Sequence, residues 1–235
     1  MKVSELLDAP RGILAETGIE EFPYRRIGAG FLASFRDLGL FVTAKHVVAG
    51  EDPNDILVFP TTDHDSLALL KQADIEGDDS FTEIALFPFK AETLDIDFPA
   101  WRSLAVPITQ GAVSRGRNSL QASSDLVVAG IPEENRIPDY DNKRLPFTTV
   151  VLPAIYEAVD GRNWIHRGRL LQTGGLASFQ GLSGSPVLTL TPPTWGLAGC
   201  LIEASIESML FHFIDSAVLW NAAKRVWLDL NKGAV

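Results

Sequence analysis

The sequence predicts an all-β protein of two small β-barrels followed by one C-terminal helix. Three observations carry this prediction. Apolar segments are short and recur with turn residues between them, 19 glycines and 14 prolines are scattered rather than clustered, and 46% of the residues are hydrophobic. Regular short strands of this kind favour barrels or a sandwich over alternating βαβ units. The apolar fraction supplies ample core material for a chain of 235 residues.

The elements can be assigned in order along the chain. Residues 1–22 are interpreted as an N-terminal extension with a short helix at residues 3–8, which Pro10 and Gly12 would end. Residues 23–108 are predicted to form the N-terminal barrel, and residues 120–214 the C-terminal barrel. Strand-like runs cover residues 27–36, 39–44, 55–59, 66–70, 82–89, 125–130, 148–152, 168–173, 186–190, 196–202 and 209–213.

A linker and a terminal helix complete this architecture. Residues 109–119 are polar and contain two glycines, which is typical of a linker between two domains. Residues 215–235 are predicted to contain a helix because Asp215 or Ser216 can cap its start and apolar residues recur close to one face. Lys232 and Gly233 can end it.

Charge and cysteine content argue against several classes of protein. Lysine and arginine total 20 against 30 aspartates and glutamates, a net charge of -10 that would repel phosphates, so we expect no nucleic-acid partner. No apolar run is long enough for a membrane span or a secretory signal, so we expect no membrane association. Cys200 is the only cysteine and cannot form an intrachain disulfide, which favours a reducing, cytoplasmic location.

Two short motifs carry the functional prediction. Thr43-Ala44-Lys45-His46 follows a β-rich run, and the stretch from Gly181 to Pro186 reads GLSGSP. Together, and in this order, they resemble the histidine and serine motifs of the trypsin-like (chymotrypsin-fold) serine peptidases, especially the bacterial members. The resemblance implies two six-stranded antiparallel β-barrels packed together and a serine endopeptidase acting on a protein or peptide, with no cofactor and no metal.

The chemistry of such a site assigns a role to each motif. A serine hydroxyl is a weak nucleophile until a neighbouring imidazole takes its proton, so Ser183 would be the nucleophile and His46 the general base. The oxyanion that develops needs hydrogen-bond donors already in place. The backbone N–H groups of Gly181 and Ser183 would supply them, and the missing side chain at Gly181 permits the turn that aims its N–H inward.

The third member of the triad departs from the family pattern. The family's acid is usually an aspartate in a segment resembling D-[IL]-A-[LIV], and the matching segment here has Glu83 at that position. Glutamate keeps the charge but adds a methylene, so it could orient the imidazole only from slightly farther away. Asp79 is the alternative acid, ahead of Asp78.

The same motif register predicts how the substrate binds. Ala177 would lie at the base of the primary specificity pocket, and Gly199 and Glu203 along its wall. We therefore expect a small or medium apolar residue before the scissile bond, unless Glu203 points into the pocket. Leu182 stands where activatable members have an aspartate that pairs with a new N-terminus, so we expect no activation by N-terminal cleavage.

Other interpretations stay open beside the peptidase. A trypsin-like scaffold with weak or no catalysis could act as a protein-binding or regulatory module, and a regulatory protein partner could restrain an active enzyme. A third alternative is an unrelated β-sandwich in which both motifs are coincidental. Asp63, His64 and Asp65 are adjacent on one segment and would point apart, so we interpret them as a solvated loop and predict no metal site.

Overall fold

The computed structural model describes residues 8–52, 56–58, 68–73, 75, 81, 83–89, 102–133, 148–162, 164–191 and 194–232. The helix predicted at residues 3–8 lies almost wholly outside them. The strands are β1 (Pro10–Ile19), β2 (Phe22–Phe35), β3 (Leu38–Ala44), β4 (Ile56–Val58), β5 (Ala68–Leu70), β6 (Ile84–Phe89), β7 (Val106–Pro107), β8 (Asp125–Gly130), β9 (Val150–Val159), β10 (Ile165–Leu170), β11 (Pro186–Thr191), β12 (Thr194–Ala204) and β13 (Leu210–Asp215). The helices are α1 (Gln110–Asn118), α2 (Ser216–Asn231) and a short 3-10 helix (Lys45–Val47).

The all-β prediction is confirmed, and the prediction of two barrels is confirmed in part. The C-terminal half is a closed barrel of six strands in the order β10-β13-β12-β11-β8-β9, with antiparallel neighbours. The N-terminal half is a curled sheet in the order β5-β4-β1-β2-β3-β6, and β7 pairs with β2. Over the described residues this second sheet is a half-barrel that does not close.

The first strand was not predicted. Residues 10–19 belonged to the predicted extension, yet they form β1, which pairs with both β2 and β4. Pro10 stands at the first position of the strand, where a missing N–H is tolerated. Ile13 and Leu14 are fully buried, so the segment is part of the N-terminal core. The N-terminal sheet therefore begins before residue 23.

The predicted linker is also more ordered than its composition indicated. Residues 110–118 form α1, and the Thr109 side chain caps it by accepting a hydrogen bond from the Ala112 N–H at 3.1 Å. Gly116 lies against β12 so closely that an added Cβ would collide with the Leu197 carbonyl. The connection between the two halves is therefore a helix packed on the barrel.

The C-terminal helix confirms its prediction, including the cap. The Asp215 carboxylate accepts a hydrogen bond from the Ala217 N–H at 2.7 Å. At the other end, Trp227 Nε1 donates to Asp37 at 2.7 Å, and the Arg36 guanidinium lies 4.0 Å from a Trp227 ring centroid. Helix α2 thus fastens the hairpin between β2 and β3 to the end of the barrel.

One hydrophobic cluster joins the two halves. It combines Phe31 and Val42 of the N-terminal sheet with Leu188 and Cys200 of the barrel and Leu219 of α2, all fully buried. Cys200 is a small buried hydrophobe, as its apolar strand predicted, and burial raises the pKa of its thiol. Of the helices that the described residues form, none has the length and apolar character to cross a membrane. The shared core holds the facing edges of both halves in one arrangement.

Candidate active site

A cleft of about 890 Å³ brings together most of the residues that the motifs singled out. Its walls come from both halves of the molecule. They are formed by Arg25, Arg26, Ile27, Gly28, His46, Val47, Glu51, Glu83, Glu133, Ser178, Phe179, Gln180, Gly181, Ser183, Ile202, Glu203, Ala204 and Ile206. His46, Glu83 and the turn of Gly181 and Ser183 are distant from one another in sequence and share this one cavity.

Strand β3 delivers His46 to the cleft. Every residue of β3 is buried, so the strand is fixed on both faces, and the 3-10 helix that follows turns His46 outward. Val47 packs over Gly28, where an added Cβ would collide with its side chain. The His46 side chain is exposed, and within the described part of the chain its ring makes no hydrogen bond.

The serine lies in a tight turn before β11. Gly181 and Gly184 have φ values of 87° and 91°, a region that side chains rarely adopt. Leu182 is fully buried in the barrel core and anchors the turn from below. The Gly184 N–H donates to the Leu201 carbonyl at 2.8 Å, and the Ser185 N–H donates to the Leu182 carbonyl at 3.0 Å. Ser183 is thereby held at the rim of the barrel.

The two motifs contact each other directly. A Cβ on Gly184 would collide with the Ala29 carbonyl oxygen and would lie 2.5 Å from Thr43 Oγ1. Thr43 is itself fixed, because its hydroxyl donates to the same Ala29 carbonyl at 2.7 Å. Gly184 belongs to the serine motif and Thr43 to the histidine motif. Close packing at this point therefore sets the relative position of Ser183 and His46.

Two backbone N–H groups in the turn, those of Gly181 and Ser183, are the predicted oxyanion donors. The Gln180 carbonyl accepts a hydrogen bond from the Glu133 N–H at 2.8 Å. Because a trans peptide is planar, the Gly181 N–H of the same peptide must point to the opposite side. Neither that N–H nor the Ser183 N–H has a hydrogen-bond partner among the described residues. Both are therefore free to bind an oxyanion.

The three side chains predicted as a triad are not hydrogen-bonded to one another over the described residues. Ser183 Oγ donates to the Ile202 carbonyl at 2.8 Å instead of to His46. Glu83 is partly exposed, and its Oε1 lies 3.8 Å from Arg162 Nη1, from the turn between β9 and β10. The alternative acid, Asp79, lies outside the described residues, as do Asp78 and the Asp63–Asp65 segment.

The three residues predicted to bind substrate lie at different distances from the cleft. Glu203 lines the cleft. Ala177 is exposed and adjoins Ser178, which lines the cleft. Gly199 is part of the barrel wall, paired with Val187 and Asp215, and a Cβ there would collide with the Ile214 carbonyl. A glycine at that point allows the strands to approach closely, and its predicted role in the substrate pocket stays a prediction.

His212 is a cleft-associated residue that the sequence analysis missed. Its Nδ1 lies 2.7 Å from Glu203 Oε1, and its Nε2 lies 2.6 Å from Asp160 Oδ2. Glu203 and His212 are cross-strand partners in β12 and β13, next to a register shift between Leu201 and Glu203. That shift is invisible in the sequence, so the pairing could not be inferred from residue spacing.

A second polar cluster is buried away from the cleft. Asp215 Oδ2 accepts from Arg117 at 3.0 Å and lies 3.2 Å from His166 Nε2, while His166 Nδ1 lies 3.0 Å from the Tyr156 hydroxyl. Burial opposes ionisation of Asp215, but hydrogen bonds from His166 and the Ala217 N–H, with the Arg117 charge, outweigh it and lower its pKa. Burial also raises the pKa of Tyr156, and the Asp215 charge adds to this effect. The cluster joins α1, the barrel and the start of α2.

Comparison with known proteins adds no relative to these observations. Neither a family model nor a curated protein matches the chain. The likeness to trypsin-like peptidases therefore depends on the two motifs and on the cleft that contains them.

Proposed function

We propose that this protein is a trypsin-like serine endopeptidase that cleaves peptide bonds through Ser183 and His46. The observation that carries the proposal is the convergence of three distant segments on one cleft, with His46, Glu83 and the turn of Gly181 and Ser183 in its walls. The N–H groups of Gly181 and Ser183, which have no hydrogen-bond partner among the described residues, support it further. A thiol such as Cys200 suits a reducing compartment, and we propose a cytoplasmic location on that ground.

The reaction begins with a rotation of Ser183. Its Oγ leaves the Ile202 carbonyl and turns toward His46, a change between staggered rotamers. His46 takes the hydroxyl proton as Oγ bonds to the substrate carbonyl carbon, and the carbonyl oxygen becomes an oxyanion bound by the N–H groups of Gly181 and Ser183. The C–N bond then breaks as His46 returns the proton to the leaving amine.

Water completes the cycle. His46 removes a proton from the water as the oxygen attacks the acyl carbon. The ester C–O bond then breaks, and His46 returns the proton to Ser183 Oγ, which releases the acid and the free hydroxyl. Glu83 would orient the imidazole and stabilise its charged form, as the acid of a triad does. In the resting site Glu83 lies beside Arg162. Its catalytic use therefore requires the carboxylate to move toward His46.

A non-catalytic binding module is the second candidate. The observations that favour it are the hydrogen bond from Ser183 Oγ to the Ile202 carbonyl and the absence of a hydrogen bond to the His46 ring among the described residues. In that case the same cleft would hold a peptide without cleaving it. The N–H pair and the cleft would then bind a carbonyl or a carboxylate of the partner.

Labelling with a fluorophosphonate probe separates the two candidates. We expect the wild-type protein to be modified covalently at Ser183, with labelling abolished in Ser183→Ala and largely lost in His46→Ala. Ser205→Ala is the matched control, because Ser205 is an exposed serine outside the cleft walls, and it should label like the wild type. If the wild type stays unlabelled under conditions that label a control peptidase, the peptidase proposal fails.

A further inference from the structure

Glu203 is positioned to select substrates near the reacting centre. It follows Ile202 in β12, whose carbonyl accepts the Ser183 hydroxyl at 2.8 Å. Consecutive Cα atoms are about 3.8 Å apart, and an extended peptide advances about 3.3 Å per residue. A substrate lying over β12 would therefore bring a side chain to Glu203 within about three residues of the scissile bond.

The carboxylate of Glu203 is held in place and still open to solvent. His212 contacts Oε1 at 2.7 Å and is itself held by Asp160 at 2.6 Å. The Glu203 side chain is nonetheless 69% exposed. Two carboxylates flank a single imidazole, so the group of three carries a net negative charge even when His212 is protonated.

Other charges in the cleft are already engaged. Glu51 forms a bidentate ion pair with Arg25, with both oxygens at 2.7 Å. Glu83 lies beside Arg162. Arg26 donates to the backbone carbonyls of Gly28 and Ile131. Among the described residues Glu203 is paired with His212 rather than with an arginine, so a cationic ligand can reach its carboxylate without displacing a guanidinium.

We propose that Glu203 selects substrates with a lysine or arginine close to the scissile bond, an inference that rests on the proposed peptidase function. Ala204 and Ile206 line the same wall and give the aliphatic stem of such a side chain an apolar surface, while its charged head reaches Glu203. The net charge of -10 also attracts cationic peptides to the cleft.

The test uses pairs of peptides in which one position holds either lysine or norleucine. The varied position is moved over the three residues on each side of the cleaved bond. We expect kcat/KM to favour lysine at one position, and Glu203→Gln to reduce that preference roughly two- to fivefold, the size of an exposed charge pair. Glu207→Gln is the matched control, because it removes the same charge from an exposed residue outside the cleft walls. Glu203→Lys should reverse the preference toward glutamate.

A binding measurement separates this inference from the catalytic proposal. Fluorescence polarisation of the same peptides with Ser183→Ala protein, with and without Glu203→Gln, needs no turnover. Lysine-selective binding that Glu203→Gln abolishes supports the inference, even if the wild type never cleaves. Cleavage or binding that shows no lysine preference, or keeps its preference in Glu203→Gln, overturns it and leaves the peptidase proposal standing.

Discussion

Substitution of Gly184 tests whether the contact between the serine and histidine motifs organises the site. Gly184→Ala introduces two costs. A side chain at a φ of 91° is strained by about 1–2 kcal/mol. Its Cβ would also collide with the Ala29 carbonyl and press on Thr43 Oγ1, and overpacking of this kind costs about 1–3 kcal/mol.

Gly161 supplies a matched control. Its φ is 63°, and no heavy atom of the described residues lies within 4 Å of an added Cβ, so Gly161→Ala carries a backbone strain without the collision. The difference between the two variants measures the collision together with the larger backbone strain at a φ of 91°. It should be about 1–3 kcal/mol, or roughly 2–12 °C in Tm for a chain of this size.

Thermal and urea unfolding measure this difference, and fluorophosphonate labelling measures its effect on the site. We expect Gly184→Ala to lose labelling at a temperature where it is still folded, because the turn that holds Ser183 must shift away from β2 and β3. Gly161→Ala should label normally. Equal stability losses in the two variants would refute the packing argument, and normal labelling of Gly184→Ala would show that Ser183 does not depend on the contact.

Two further predictions concern the charged groups. Because the folded-state pKa of Asp215 is lowered, its ionised form stabilises the fold above the unfolded pKa of about 3.9, and that stability is lost as pH falls through the folded pKa. Asp215→Asn keeps a capping side chain, so it should lower the free energy of unfolding by about 2 kcal/mol at pH 7 and by progressively less below pH 4, as measured by urea unfolding. The control Asp229→Asn, at an exposed residue, should change that free energy little. A loss of stability that does not depend on pH would contradict this prediction. For the triad acid, Glu83→Gln should lower kcat/KM by orders of magnitude and Asp79→Asn should not; the reverse pattern would assign the role to Asp79.

The sequence predicted an element correctly where the signals for it lie within the element's own segment. The C-terminal helix carries its own cap, apolar face and end signals, and the structure follows them. The strand β1 was missed because Pro10 and Gly12 read as terminators, whereas the pairing of the segment with β2 and β4 decides its conformation. Helix α1 was missed because its buried face consists of Ala112, Val113 and Gly116, which give a weak apolar signal.

In the candidate site, too, the sequence indicated the residues but not the contacts that they make with other segments. His46, Glu83, Gly181, Ser183 and Glu203, which the motifs and their register singled out, line one cleft, whereas Ala177 and Gly199 are not among its walls. The roles assigned to these residues stay predictions. The motifs could not predict the hydrogen bonds of Ser183 or Glu83, because those depend on rotamers and on Arg162 from another hairpin. Glu203 and His212 meet only through a bulged register, which no spacing in the sequence encodes.

In the resting cleft the backbone donors of the serine turn are fixed, whereas the side chains of Ser183 and His46 can rotate. The Gly181 N–H is set by a peptide whose carbonyl is bound to the Glu133 N–H, and the position of the turn is set by the packing of Gly184 on Ala29. These are backbone constraints, and they do not depend on the state of the side chains. Ser183 Oγ, in contrast, changes partner by rotation about a single bond, and the exposed His46 ring has room to turn toward it. A substrate carbonyl that binds the two N–H groups would lie beside Ser183, so binding itself can favour the rotamer that points at His46.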